Sequence, residues 1–199
     1  VVENGIDQNV FRSPIDLPAA LESLSGRPYV LSVGSAIPRK NLGILPEVFA
    51  EFLTQEPDFM LVRAGATLPA ELRERFCRLC GKERLIELGR IPDEILVPLY
   101  QHASIFFFPS LYEGFGLPVI EAMAAGTPVV CSNTTSLPEV GGDAAIYFDP
   151  NVPSHGAEAL LEALSQESEL ISRGLEHSSR YSWDRTMEGH LTCYRELLA

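Results

Sequence analysis

Glu113 and Glu121 bracket the stretch EGFGLPVIE, with seven residues between them. Two glycines, Gly114 and Gly116, lead into the helix-like run PVIEAMAA, where Glu121 is the only charge. An isolated buried charge is too costly to keep and would neutralise instead, so an ionised Glu121 needs a partner. One reading is a buried ion pair with an arginine such as Arg63. The other is a carboxylate that accepts hydrogen bonds from a ligand's hydroxyls. The glycines favour the ligand, because they let a bound group reach the backbone and leave amides aimed at it, as anion sites at helix starts require. Pro118 suits a first helical position and Gly126 the residue just past the end, so a helix is expected over residues 118–125 with Leu117 near its cap.

A second group of interest is Arg39–Lys40 in GSAIPRKN. The pair follows an apolar, strand-like run and directly precedes Asn41, an expected N-cap for the next helix. A solvated basic dipeptide is the plain alternative. The net charge of −12 makes any cationic pair conspicuous. That charge also argues against nucleic acid or an anionic membrane surface as the main partner, since both demand a basic face. No Asp-x-Asp pair occurs, so neither a divalent metal nor a cofactor is expected. The four histidines, His102, His155, His177 and His190, fall outside these motifs and receive no role. Cys77 and Cys80 form a CxxC without a second pair or a strand-to-helix turn, so they read as reduced thiols of a cytoplasmic protein rather than a zinc or redox site.

The elements that must position these residues alternate along the chain. PYVLSVG, DFMLVRAG, LIELGRI, ASIFFFP, PVVCSN and AAIYFD read as six strands, apolar along their length as in sheets covered on both faces. Helices are expected near 42–55, 69–80, 93–102 and 118–125, then over 154–198 with breaks near Glu167 and Ser182. Pro98 conflicts with an uninterrupted helix from Asp93. The alternation predicts an α/β fold, a doubly wound, Rossmann-like parallel sheet of six strands with a helical C-terminal tail. Ligands in such sheets bind outside the carboxyl ends of the strands, where both motifs fall. With 199 residues, 46% of them hydrophobic, the chain can bury a sizeable core. No apolar run approaches the length of a membrane span. The start lacks an initiator Met, so the chain reads as a fragment.

These motifs carry a resemblance. NGID, SVGSAIPRKNL, GRIPDEIL, SLYEGFGLPVIEAMAAGTPVVCSN and SLPEVGGDAAIYFDP together resemble the C-terminal, nucleotide-sugar-binding domain of a family 4 retaining glycosyltransferase of the GT-B fold. The resemblance runs over residues 1–199 nearly end to end. It implies that Glu121 holds the donor's ribose and Glu113 the donor sugar. Backbone around Gly34, Ser35, Gly114, Phe115, Gly116 and Leu117 would approach the sugar and diphosphate, and Arg39 and Lys40 would bind the diphosphate. Arg90 and Ile91 would lie against the base, and Glu139 would either join this loop cluster or cap a helix. Ser35 departs from the family's pattern, which often places an arginine there.

What the resemblance implies for chemistry is metal-independent transfer with retention, in which the diphosphate helps take the acceptor's proton and no residue serves as a dedicated base. Glu113, Arg39 and Lys40 would form the catalytic group. The acceptor would bind an N-terminal domain outside this chain, through which any membrane association would also run, leaving the isolated domain inactive. The PRKN variant leans the donor toward GDP-mannose and the pathway toward polysaccharide synthesis. The rival reading is a non-catalytic nucleotide-sugar-binding subunit or module.

Overall fold

The computed structural model describes residues 2–198 and forms a single six-stranded sheet, every pairing parallel. The strands are β1 (Tyr29–Gly34), β2 (Met60–Gly65), β3 (Leu85–Glu87), β4 (Ile105–Phe108), β5 (Val129–Ser132) and β6 (Ala145–Phe148). Their spatial order, β3-β2-β1-β4-β5-β6, is the doubly wound Rossmann order. The helices are α1 (Gln8–Arg12), α2 (Leu45–Phe52), α3 (Ala70–Cys80), α4 (Asp93–Gln101), α5 (Leu117–Ala124), α6 (Leu137–Gly141), α7 (Pro153–Ser165), α8 (Glu167–Ser178) and α9 (Trp183–Leu198).

Alternation along the strands sends residues to two separate cores. Tyr29 and Leu31 pack on one face with α4, α5 and α6, whereas Val30 packs on the other with α2, α3 and α7. Both faces are covered, which explains why the strands carry continuous apolar runs. The α4 helix passes through Pro98 without a break. Proline there removes one donor, and the carbonyl it would have served belongs to exposed Glu94, where water can satisfy it. Residues 42–55 divide into a 3-10 turn at Leu42–Ile44 and then α2, because Pro46 suits only the first turn of a helix.

Asn41 corrects one expectation. It does not cap a helix with its side chain but takes a left-handed conformation (φ 52°) after the 3-10 turn Pro38–Lys40, and its Nδ2 donates to the Pro150 carbonyl at 2.8 Å.

The strand order places β1 between β2 and β4, so successive crossovers leave β1 in opposite directions. In sheets of this order a crevice is expected at that point, outside the strands' carboxyl ends. Gly34 and Gly65, the last residues of β1 and β2, both have positive φ, 132° and 107°. A Cβ on Gly65 would lie 2.3 Å from the Gly34 carbonyl oxygen, so only glycine permits the approach of the two strand ends.

Candidate functional site

The carboxyl ends of β1 and β4 bring two of the sequence motifs together. From the end of β1 the chain enters the 3-10 turn carrying Arg39 and Lys40, and from the end of β4 it runs through Ser110 to Glu113. The two segments are joined by backbone, with the Leu111 amide donating to the Arg39 carbonyl at 2.8 Å. Their side chains meet as well. Lys40 Nζ lies 2.7 Å from Glu113 Oε1, and Arg39 Nη1 lies 2.7 Å from Glu113 Oε2 and 2.9 Å from the Tyr112 carbonyl. Lys40 also sits 4.6 Å above the Phe108 ring, a cation–π contact that fixes its stem.

Glu113 is 9% exposed. Burial opposes its charged form, but hydrogen bonds from Lys40 and Arg39 outweigh that and hold its pKa below the usual carboxylate value. Ser110 is close by, yet its buried hydroxyl meets no hydrogen-bond geometry, so the two cations carry the effect.

The glycine-rich turn follows. Gly116 has φ 111°, and a Cβ there would come within 2.8 Å of Leu137 Cδ2. Around Gly114 a Cβ would meet nothing within 4 Å, so one side of the turn is open. No side chain caps the start of α5, and the amides of Gly114, Phe115 and Gly116 donate to no other described residue. These groups stand at the positive end of the α5 dipole, in the loop that carries Glu113, the partner of Lys40.

The Glu121 side chain lies one turn into α5. It does not pair with Arg63, which overturns the ion-pair reading. Its partner is Tyr100, whose hydroxyl donates to Oε2 at 3.0 Å. Burial raises the Glu121 pKa despite that bond. The carboxylate borders a cavity of about 230 Å³ whose walls include Phe11, Asp93, Leu96, Leu117 and Trp183. A larger hollow of about 710 Å³ lies instead beside Arg27 and Pro28, ahead of the amino end of β1, and contains none of the motif residues.

Arg90 is exposed and Ile91 half-buried, both just beyond Gly89 in the loop after β3, at the same edge of the sheet. Ser35 is exposed next to Gly34. Glu139 sits exposed in the first turn of α6 and makes no hydrogen bond to another described residue, so it caps no helix. Cys77 and Cys80 are free and half-buried along α3, away from the crevice.

Sequence reasoning missed the supports. Thr135 Oγ1 accepts from the Glu113 amide at 3.1 Å, and Ser136 Oγ lies 3.0 Å from the Glu113 carbonyl and 2.8 Å from that of Phe115. Thr134 Oγ1 donates to the Ser110 carbonyl at 3.1 Å. The hydroxyl run TTS after β5 thus clamps the loop from Ser110 to Phe115. Its signal was three consecutive hydroxyl residues at a strand's carboxyl end.

The chain superposes on sucrose-phosphate synthase from Thermosynechococcus elongatus with a TM-score of 0.81 and 26% identity, covering 99% of this chain and 52% of that one. The fold is that of one domain of a GT-B glycosyltransferase. Residues 16–177 match the profile of the glycosyl transferases group 1, and the chain belongs to that family. It is 35% identical over 210 aligned positions to the O-antigen chain mannosyltransferase B of Escherichia coli, covering 94% of this chain and 51% of the relative. It is 33% identical to the D-inositol 3-phosphate glycosyltransferase of Acidothermus cellulolyticus, covering 100% of this chain and 48% of the relative. The chain therefore spans about half the length of these relatives.

Proposed function

We propose that this chain is the donor-binding domain of a retaining, metal-independent glycosyltransferase that takes a nucleotide sugar, with GDP-mannose as the favoured donor, for polysaccharide or glycan synthesis. The observation that carries this reading is the convergence of Lys40, Arg39 and Glu113 at the β1–β4 crevice, beside the uncapped amides that open α5. Cleaving a sugar–phosphate bond builds negative charge on the departing diphosphate. Lys40, Arg39 and the amides of Gly114 to Leu117 would stabilise that charge electrostatically. Glu113 would orient the sugar's hydroxyls, and Glu121 would accept from the ribose beside the cavity it borders. Gly34 and Ser35 would flank the diphosphate, while Arg90 and Ile91 would meet the base.

The resemblance implies that the acceptor's proton would pass to the departing diphosphate once its charge has built up, with no residue serving as a dedicated base. The acceptor would bind the half of the relatives that this chain does not span. The mannosyltransferase relatives support the sugar class. No helix among the described residues is long and apolar enough to cross a membrane, and a cytoplasmic site fits a nucleotide-sugar donor.

The test is thermal stabilisation by GDP-mannose, UDP-glucose and ADP-glucose, paired with turnover. GDP-mannose should raise the melting midpoint most, and the 199-residue chain alone should transfer sugar negligibly, since holding donor and acceptor together is much of the rate enhancement. Stabilisation by none of the three would remove the donor-site reading, and brisk transfer by this chain alone would remove the split between halves.

A further inference from the structure

Arg63 is the least accommodated charge in the sheet. It lies on β2 at 1% exposure, among the largest fully buried side chains. Nη1 donates to Ser32 Oγ at 3.0 Å, Nη2 to the carbonyls of Gly34 at 3.0 Å and Ala66 at 3.1 Å, and Nε has no partner. No carboxylate of the described residues forms an ion pair with it. Its neighbour in register on β3 is Glu87, but that carboxylate is already committed, Oε2 to Arg73 Nε and Oε1 to the Leu68 amide, both at 2.5 Å. Burial lowers the Arg63 pKa to about 10, which still leaves the guanidinium charged at neutral pH. Cross-linking three oxygens needs only neutral donors, whereas a buried cation adds a desolvation cost that hydrogen bonds to neutral oxygens offset poorly.

This cation faces the last residue of β1. The Gly34 carbonyl rests on Arg63, and on the other side of the same residue Lys40 Nζ lies 3.8 Å from where a Cβ would stand. Two cations therefore flank the last residue of β1, at the crevice. With Arg39 they bring three positive charges to this end of the sheet, where Glu113 pairs with two of them and Glu87, shared with Arg73, acts on Arg63 through its charge, in a chain whose total is −12. A dianionic diphosphate arriving there would meet more cationic than anionic charge. Ser35, next to Gly34, brings no charge of its own.

We propose that Arg63 is a positioning residue for the bound diphosphate, a buried third cation that draws the anion toward the end of β1 through its field and through its grip on the Gly34 carbonyl. The proposal rests on the donor-site reading above. Its mark is that charge, more than hydrogen-bonding geometry, is what counts at position 63.

Calorimetry with inorganic pyrophosphate, which needs no knowledge of the base, tests this on the purified protein with Arg63→Met and Arg63→Lys, each with its melting midpoint. Both variants should melt lower, because both lose hydrogen bonds. Only Arg63→Met should lose pyrophosphate affinity, by about tenfold, while Arg63→Lys stays within about threefold of the parent. Unchanged affinity in Arg63→Met overturns the proposal. If that variant does not fold, Arg63→Gln takes its place as the neutral variant: a loss of about tenfold relative to Arg63→Lys supports a charge role, and equal affinity in the two overturns it. A parent protein that binds neither pyrophosphate nor GDP removes the donor-site reading itself, an outcome separate from either variant's behaviour.

Discussion

Replacing Glu113 by Gln should tighten, not weaken, the binding of a nucleoside diphosphate. In the structure Glu113 holds both cations of the crevice, so an arriving diphosphate must take Lys40 and Arg39 from it. The Lys40 pair is largely shielded, the two side chains being 11% and 9% exposed, and a charge-assisted bond of this kind contributes about 1.5–3 kcal/mol. Arg39 is 44% exposed, so its pair is screened and counts for under about 1 kcal/mol. An amide oxygen keeps a weaker neutral bond to Lys40. The relief is then about 1–2 kcal/mol, which makes the nucleoside diphosphate bind about 5- to 30-fold tighter. The nucleotide sugar should gain less or lose, because the same change removes the carboxylate proposed to hold the sugar's hydroxyls. Titration calorimetry of both ligands against both proteins reads the contrast. Equal weakening of the two ligands would refute the competition argument.

Acid offers the same perturbation without mutation. The folded pKa of Glu113 lies below its ordinary value, so its contribution to stability is present above the ordinary glutamate range and is lost as pH falls through the folded pKa. The acid limb of the melting curve should be shallower in Glu113→Gln than in the parent.

Three further outcomes can be checked with the same methods. Lys40→Ala should weaken nucleoside diphosphate binding by about 1.5–3 kcal/mol and leave the bare nucleoside nearly untouched; equal losses for both would place Lys40 away from the phosphates. Glu121→Gln should weaken nucleoside diphosphate and nucleotide sugar alike, yet leave stability at neutral pH unchanged or slightly raised, because burial already disfavours its charged form and Gln can still accept from Tyr100. A sharp fall in its melting midpoint with normal binding would make that carboxylate structural. Ser136→Ala should cost about 0.5–1.5 kcal/mol of stability and lower affinity for the nucleotide sugar, since the loop presenting Glu113 and the Gly114–Gly116 amides loses its clamp; unaltered donor affinity in the folded variant would limit Ser136 to stability.

The parts of this molecule legible in the sequence are those that a short window specifies. All six strands stand where the apolar runs put them, and the helix expected over 118–125 is α5, displaced by one residue. The third strand is shorter than LIELGRI suggested, because Gly89 turns the chain at positive φ before Arg90. Short elements such as α1 and α6, five residues each, carry too few periodic positions to show a pattern. Side-chain partners between distant segments were the blind spot. Arg63 and Glu121 looked complementary as lone buried charges, but the strand order gives them different surroundings: Arg63 ends among carbonyls under α2 and α3, while Glu121 faces Tyr100 from α4. Likewise Lys40 and Glu113 each read as a ligand contact, and nothing local foretold that they would hold one another.

The strand order also sets when the crevice can exist during folding. Residues of β1 and β2 can pair across a single crossover, but Lys40 and Glu113 are 73 residues apart, and their contact waits for β4 to dock against β1. Such non-local closures are slow in parallel sheets. A refolding chain should therefore recover helical signal early and nucleotide binding late. Any change that loosens the β1–β4 seam, however far from the motifs, should then appear as a lag in regained binding before it appears as a loss of equilibrium affinity.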